Sequence, residues 1–239
     1  TRDSVDVEFR FADGENVRDF IAIDTAGLRK RRQIKEDVDY YSQVRTNRSI
    51  GRADVIVHLV DATIKITKVD RKLSGKIAES HKPCIIAINK VDLVPEDLND
   101  DEFIQYVWWE LPAVRFAPLV FISALNGENV FPLLEISTEL FEQAQVRVKT
   151  SKLNAAMEEI TDHRSPPGEK GKPGRVLYAT QVDVAPPTIV LFVNDAAEIT
   201  GPYERYLANR LRERLPFSHI PIRFVVRRRH HAPSGEAKQ

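Results

Sequence analysis

The 239-residue sequence has one cysteine, one methionine and no apolar run that approaches the length of a membrane span. A lone Cys84 excludes any internal disulfide, and its place inside the apolar run Cys84–Ile88 reads as a small buried hydrophobe rather than a reactive thiol. The longest apolar stretches, Val55–Val60 and Cys84–Ile88, are far shorter than the roughly 20 residues a helix needs to cross a bilayer, so no membrane partner is expected. The start, Thr1-Arg2-Asp3-Ser4, has neither the basic nor the apolar region of a secretory signal and no Met, which predicts a truncated, cytoplasmic chain. A net charge is missing too, since 35 Lys+Arg balance 35 Asp+Glu. That balance is not local. Residues 1–145 carry 19 basic against 25 acidic side chains, a net of −6, and residues 146–239 carry 16 against 10, a net of +6. A basic second half suggests a polyanionic partner.

What is present is a core: 42% of residues are apolar, enough for one medium and one small domain. Val5–Phe11 alternates apolar and polar, Ala12-Asp13-Gly14-Glu15-Asn16 is turn chemistry, and Val17–Ile23 is again apolar-rich, which predicts a β-hairpin. Apolar runs at Val55–Val60, Cys84–Ile88 and Leu119–Ile122 alternate with stretches of helical period near 41–52, 68–80, 100–111 and 129–146. This is the pattern of βα units around a mostly parallel sheet. Near residues 145–150 the pattern resets. Thr150 or Ser151 is the expected N-cap of a helix carrying Leu153, Met157 and Ile160, followed by strands at 175–183 and 188–193, a helix at 202–214 and a strand at 220–227. The expected organisation is an α/β domain over 1–146, a small α-β-β-α-β domain over 147–229 and a disordered tail over 230–239.

Three short elements carry chemistry, each at the end of a strand. Asp24-Thr25-Ala26-Gly27 pairs a carboxylate able to hold Mg²⁺ with a glycine whose N–H can approach a γ-phosphate. Asn89-Lys90-Val91-Asp92 follows an apolar strand. An aspartate there can accept from the N1–H and exocyclic amine of guanine and leaves adenine's edge unpaired, Lys90 would lie along the base, and Asn89 would tie loops together. Ser123-Ala124-Leu125 follows the next strand and offers a backbone N–H for the guanine carbonyl with small side chains beside it.

The order of these elements resembles the G3, G4 and G5 motifs of Ras-like GTPases of the translation-factor class. The match is closer than that. Thr1-Arg-Asp-Ser4, Asp24-Thr-Ala-Gly-Leu-Arg-Lys-Arg31, Tyr41-Ser-Gln-Val-Arg-Thr46, Tyr178-Ala-Thr-Gln181 and Leu191-Phe-Val-Asn-Asp195 resemble the second GTPase domain and KH-like domain of the Der (EngA) family, over nearly the whole chain to Arg229. The resemblance implies a Ras-like P-loop GTPase domain and an α+β KH-like domain. It implies binding of GTP or GDP with Mg²⁺, GTP hydrolysis assisted by K⁺, and action on the large ribosomal subunit and its rRNA in ribosome biogenesis, by a chain expected to be monomeric. It also implies Mg²⁺ contacts by Thr1 and Asp24, a γ-phosphate contact by Gly27, and nucleotide contacts by Thr25, Ala26, Leu28, Lys90, Val91, Ala124 and Leu125 beside Asn89, Asp92 and Ser123. Arg29–Arg32 would move with nucleotide state.

Two departures accompany the resemblance. No Gly-x-x-x-x-Gly-Lys-Ser/Thr phosphate loop occurs in the sequence. That loop and the strand before it are expected upstream of Thr1, and without that strand its two neighbours would lose a partner. Leu28 stands where Ras-like enzymes carry a water-orienting Gln, so no catalytic residue is assigned. The alternative is a non-catalytic RNA- or ribosome-binding module with a remnant GTPase domain. Lys170, Lys172, Arg210, Arg214, Arg227, Arg228 and Arg229 are the candidate RNA contacts under either reading. Thr67-Lys68-Val69-Asp70 also fits a loose Asn/Thr-Lys-x-Asp pattern but is expected to start a helix. Gly168–Gly171 reads as a basic loop and Phe103, Val107 and Leu111 as a core stripe.

Overall fold

The computed structural model describes residues 6–13, 16–23, 46–94, 100–168, 173–194, 197 and 199–228. The chain divides into two compact units, Thr1–Phe141 and Glu142–Gln239.

The first unit opens with the expected hairpin. Strands β1 (Asp6–Asp13) and β2 (Asn16–Ile23) pair antiparallel from Asp6↔Ile23 to Asp13↔Asn16. Val7, Phe9 and Phe11 share one face of the hairpin, and only its Phe11 end is covered. Phe11 is nearly buried, packing against the rings of Phe20 and Phe131, while Val7, Phe9, Val17 and Ile21 are exposed. Helical residues 46–52 follow, with Arg52 bonded to Asp6.

A three-stranded parallel sheet comes next, in the order β3 (Ile56–Asp61), β4 (Cys84–Asn89), β5 (Leu119–Ile122). Helices α1 (Lys68–Ser80), α2 (Asp100–Glu110) and α3 (Val130–Gln145) follow its strands. Strand β4 is central, and Cys84–Ile88 are all fully buried, which is why it reads as an unbroken apolar run. Its neighbours in the core are Ile50, Val60, Ile66, Ile77, Val107 and Leu111, each of which contributes about 1.5–3 kcal/mol when withdrawn from water. Val107 of α2 and Leu111, one residue past its end, form the expected core stripe, with Phe103 and Trp108 packed at its border, while Trp109 is 82% exposed. Burial pushes the Cys84 thiol up to about 12, so it is inert. Among the described residues no strand joins the hairpin to the parallel sheet, and β3 has an unpaired outer edge with Val57 and Leu59 exposed.

Thr67 caps α1. Its hydroxyl accepts from the backbone N–H groups of Val69 and Asp70, and the Asp70 carboxylate accepts from the Thr67 N–H at 2.7 Å, a reciprocal capping box. The Thr67–Asp70 tetrapeptide is therefore a helix start.

The second unit is α-β-β-α-β: α4 (Thr150–His163), β6 (Val176–Asp183), β7 (Thr188–Val193), α5 (Gly201–Arg214) and β8 (Arg223–Arg228), with sheet order β6-β7-β8. Strand β7 is antiparallel to β6 and parallel to β8, the long connection through α5 permitting the parallel pair. Leu153, Met157 and Ile160 of α4 and Tyr203, Leu207 and Leu211 of α5 are buried in its core. The N-cap of α4 is Lys149, not Thr150 or Ser151, and it makes no side-chain cap bond. At the other end of α4 the tyrosine hydroxyls of α5 take over the capping. Tyr203 donates to the carbonyl of Arg164 at 2.7 Å, and Tyr206 donates at 3.1 Å to that of Ile160, which also accepts from the Arg164 N–H. Gly174 is dictated by space, since a Cβ there would lie 2.5 Å from the carbonyl oxygen of Pro167.

Candidate functional site

Parallel strands end together, and the C-terminal edge of β3-β4-β5 collects the polar residues that the apolar strands carry to their tips. Asn89 ends β4 beside Asp61 at the end of β3 and Ile122 at the end of β5. The Asn89 side-chain oxygen accepts from the backbone N–H of Lys90 at 2.8 Å and of Ala124 at 3.0 Å, so one amide links the loops that leave two strands. Lys90 adopts a left-handed backbone, φ +69°, which lets the chain turn sharply into the 3₁₀ turn Val91–Leu93.

Asp92 lies in that turn, exposed, and Oδ1 accepts from the Ser123 hydroxyl at 2.5 Å. Ser123 is fully buried. Its own oxygen accepts from the Asn126 N–H at 3.2 Å, and its backbone forms a two-bond bridge with Glu128. The loop between them is pinched shut at its base, with Leu125 projecting 85% exposed and Gly127 at φ +75°. Ser123 and Ala124 spend their N–H groups on Glu128 and Asn89, and among the described residues the Leu125 N–H has no protein partner. Two sequence-predicted elements, Asn89–Asp92 and Ser123–Leu125, are thus one hydrogen-bonded cluster. Thr1, Asp24, Thr25, Ala26, Gly27 and Leu28, and the Arg29–Arg32 segment, lie outside the described residues.

Sequence reasoning did not find Asp61. Its Oδ2 accepts from the Lys90 ammonium at 2.5 Å, while Oδ1 accepts from the Thr63 N–H at 2.9 Å and hydroxyl at 2.6 Å. Burial tends to raise the Asp61 carboxyl, but the bonds from Lys90 and Thr63 outweigh it and hold the group below the usual carboxylate range. The available signal was positional. Asp61 closes β3 directly opposite Asn89, which closes β4.

In the second unit the basic candidates differ among themselves. Arg210 pairs with Glu213 at 3.0 Å and stacks over the Tyr206 ring, and Arg214 pairs with Glu159 at 3.1 Å. Arg227 and Arg228 are exposed on β8. Lys170, Lys172 and Arg229 lie outside the described residues, as do His230 and His231. Among the described residues no group of three His, Cys, Asp or Glu side chains could hold a metal, and no helix is long and apolar enough to cross a membrane.

Comparison with known proteins adds two family matches. Residues 147–227 match the KH-domain-like family of EngA bacterial GTPase enzymes, C-terminal, and residues 1–90 match the 50S ribosome-binding GTPase family. GTPase Der of Rhodopirellula baltica is 39% identical over 229 residues, covering 96% of this chain and 50% of that protein. GTPase Der of Alkaliphilus metalliredigens is 41% identical over 228 residues, covering 95% and 51%. The chain spans about half the length of the curated relatives it matches. A solved structure of Era in complex with MgGDPNP and a piece of 16S ribosomal RNA aligns at 19% identity over 95% of this chain and 81% of that one. The TM-score of that alignment is 0.47. The two family matches, one in each unit, and sequence identity running through both place the chain in the Der (EngA) family of GTPases, as a GTPase domain followed by a KH-like domain.

Proposed function

We propose that this chain supplies the guanine-recognising part of a cytoplasmic GTP-hydrolysing switch in ribosome biogenesis, and that its KH-like domain, residues 147–229, contacts rRNA of the large subunit. The observation that carries the reading is the Asn89–Asp92–Ser123 cluster. Asp92 accepts from the N1–H and the exocyclic amine of guanine, and Ser123 keeps its carboxylate from rotating away. Adenine has no N1–H and would leave that carboxylate unpaired, which is the source of discrimination. Lys90 lays its aliphatic stem along the base, and the guanine carbonyl either takes the Leu125 N–H or competes with Asn89 for that of Ala124.

Mg²⁺ would be held by Thr1 and Asp24 and would neutralise charge on the phosphates. Both residues lie outside the described set, as does Leu28, so no hydrolytic step is assigned to a side chain. K⁺ assistance belongs to the same reading. On the KH-like side, Arg227 and Arg228 at the end of β8 are exposed and would meet phosphate, and Arg210 and Arg214 would exchange an acidic partner for it.

The test is a titration of fluorescent GDP and GTP, with Mg²⁺ and K⁺ present and an ATP analogue as control, into the full gene product and into this chain. Saturable, guanine-selective binding by the gene product is expected, and equal affinity for the two purines would sink the assignment. The rival reading, an RNA- or ribosome-binding module with a GTPase remnant, draws on the outer edge of β3, which is unpaired among the described residues. It predicts salt-sensitive RNA binding that nucleotide does not alter.

A further inference from the structure

We propose that Asp61 is a positioning residue for guanine binding, acting through Lys90. The inference rests on the reading of Asn89–Asp92 as the guanine site and adds to it a residue from a different strand.

Lys90 has the longest and most flexible side chain in the cluster, and a lysine left free would have to be immobilised when a base arrives. Here it is already held. The Asp61 carboxylate takes the ammonium on Oδ2 and is itself prevented from rotating by two bonds from Thr63 on Oδ1. The backbone beneath it is fixed as well. Asp61 stands opposite Asn89 in the β3–β4 register, and the Ala62 N–H donates to the Asn89 carbonyl at 2.9 Å. The lysine thus leaves a left-handed backbone anchored by the Asn89 side chain and ends on a carboxylate anchored by the next strand.

Its exposure argues against a purely stabilising role. The Lys90 side chain is 49% accessible and the Asp61 side chain 24%, and a pair so open to water adds little to folding. What the pair supplies is geometry, with the lysine stem stretched between fixed ends beside Asp92, where the base is read.

The experiment is a double-mutant cycle on GDP affinity in the full gene product, with Asp61→Asn, Lys90→Ala and the two combined. Asp61→Asn should weaken GDP about tenfold and Lys90→Ala at least as much, with the double variant no weaker than Lys90→Ala alone. Asp61→Glu should recover part of the loss. If Asp61→Asn costs the same factor with or without Lys90, or costs nothing, Asp61 does not act through the lysine and the proposal falls. Should Asp61→Asn fail to fold, Thr63→Ala removes the hydroxyl, one of the two Thr63 bonds that hold the carboxylate, and its smaller loss must also vanish in the Lys90→Ala background. A different failure marks the underlying reading: if Lys90→Ala leaves GDP affinity unchanged, the motif is not the guanine site at all.

Discussion

Both units use a side-chain amide or carboxylate to join distant pieces of backbone, and they differ in what is left over. In the KH-like domain Gln181 is 7% exposed, and both its N–H donors and its oxygen are engaged. Its Nε2 donates to the carbonyls of Val146 at 3.0 Å and Asp183 at 3.1 Å, and its Oε1 accepts from the Val148 N–H at 2.8 Å. Asn154 likewise gives all its bonds to backbone, donating to Thr150 and Ala179 and accepting from Ala179. In the GTPase domain Asn89 is also a backbone linker, but Asp92 beside it is exposed and, among the described residues, bonded at a single oxygen. A saturated, buried amide is part of the fold, because it has nothing to offer a ligand. A carboxylate held by one oxygen and open to water is oriented without being consumed, which is what a recognition group requires.

That contrast can be broken by exchanging the two kinds of residue for near-isosteres. The largest effect is expected at Asp92. Asp92→Asn in the full gene product turns an acceptor pair into one acceptor and one donor. GDP affinity should fall on the order of 100-fold or more while xanthosine diphosphate, whose carbonyl accepts from the new amide, gains. Nucleotide titrations monitored by calorimetry measure both, and an unchanged guanine preference would remove Asp92 from the site. Gln181→Leu should do the converse. It strands the Val146 carbonyl and the Val148 N–H in a buried setting, costing about 2–4 kcal/mol of stability in chemical denaturation, with guanine selectivity untouched. Thr67→Ala tests the look-alike tetrapeptide. Loss of the capping box should cost about 1 kcal/mol and leave nucleotide binding alone, whereas a nucleotide effect would mean that the wrong Asx/Thr-Lys-x-Asp sequence had been assigned.

Local chemistry was the legible part of this molecule. The hairpin was announced by alternation and by a turn rich in Asp, Gly and Asn, the parallel strands by their apolar runs, and α1 by Thr67 and Asp70 three residues apart. The start of α4 was misplaced by one or two residues because Thr150 and Ser151 are good N-caps in isolation. In the fold Thr150 is already the first helical residue, its carbonyl accepting from the Asn154 amide. Sequence spacing placed Asn89–Asp92 and Ser123–Leu125 at strand ends, but their joining through Ala124 and Asn89 depends on β5 lying beside β4. Asp61 was beyond reach for the same reason. Its bond to Lys90 crosses 29 residues of sequence and a helix, and exists only through the β3–β4 register. The arginines of α5 carry neighbours the sequence did not show: Arg210 and Arg214 pair with Glu213 and Glu159, and Arg210 lies over the Tyr206 ring.

His58 offers the smallest effect near neutral pH and the cleanest separation of fold from site. It lies on the buried face of β3, 3% exposed, and among the described residues neither ring nitrogen has a hydrogen-bond partner. Burial pushes its pKa below the ordinary 6.5, and the charge of Asp70 offsets this only in part. The native protein therefore keeps His58 neutral at pH values where the unfolded chain has begun to take up a proton. Stability is unaffected above about pH 6.5 and falls as pH drops below it, at no more than about 1.4 kcal/mol per pH unit for one proton. Denaturation midpoints measured between pH 7.5 and 5.5 should decline for the wild type, and more weakly for His58→Leu, which has no proton to gain. Asp92, in contrast, is already exposed, so replacing His58 should leave the pH profile of guanine selectivity where it was. A selectivity profile that moved with His58→Leu would mean that the β3 core and the strand-end cluster are not independent.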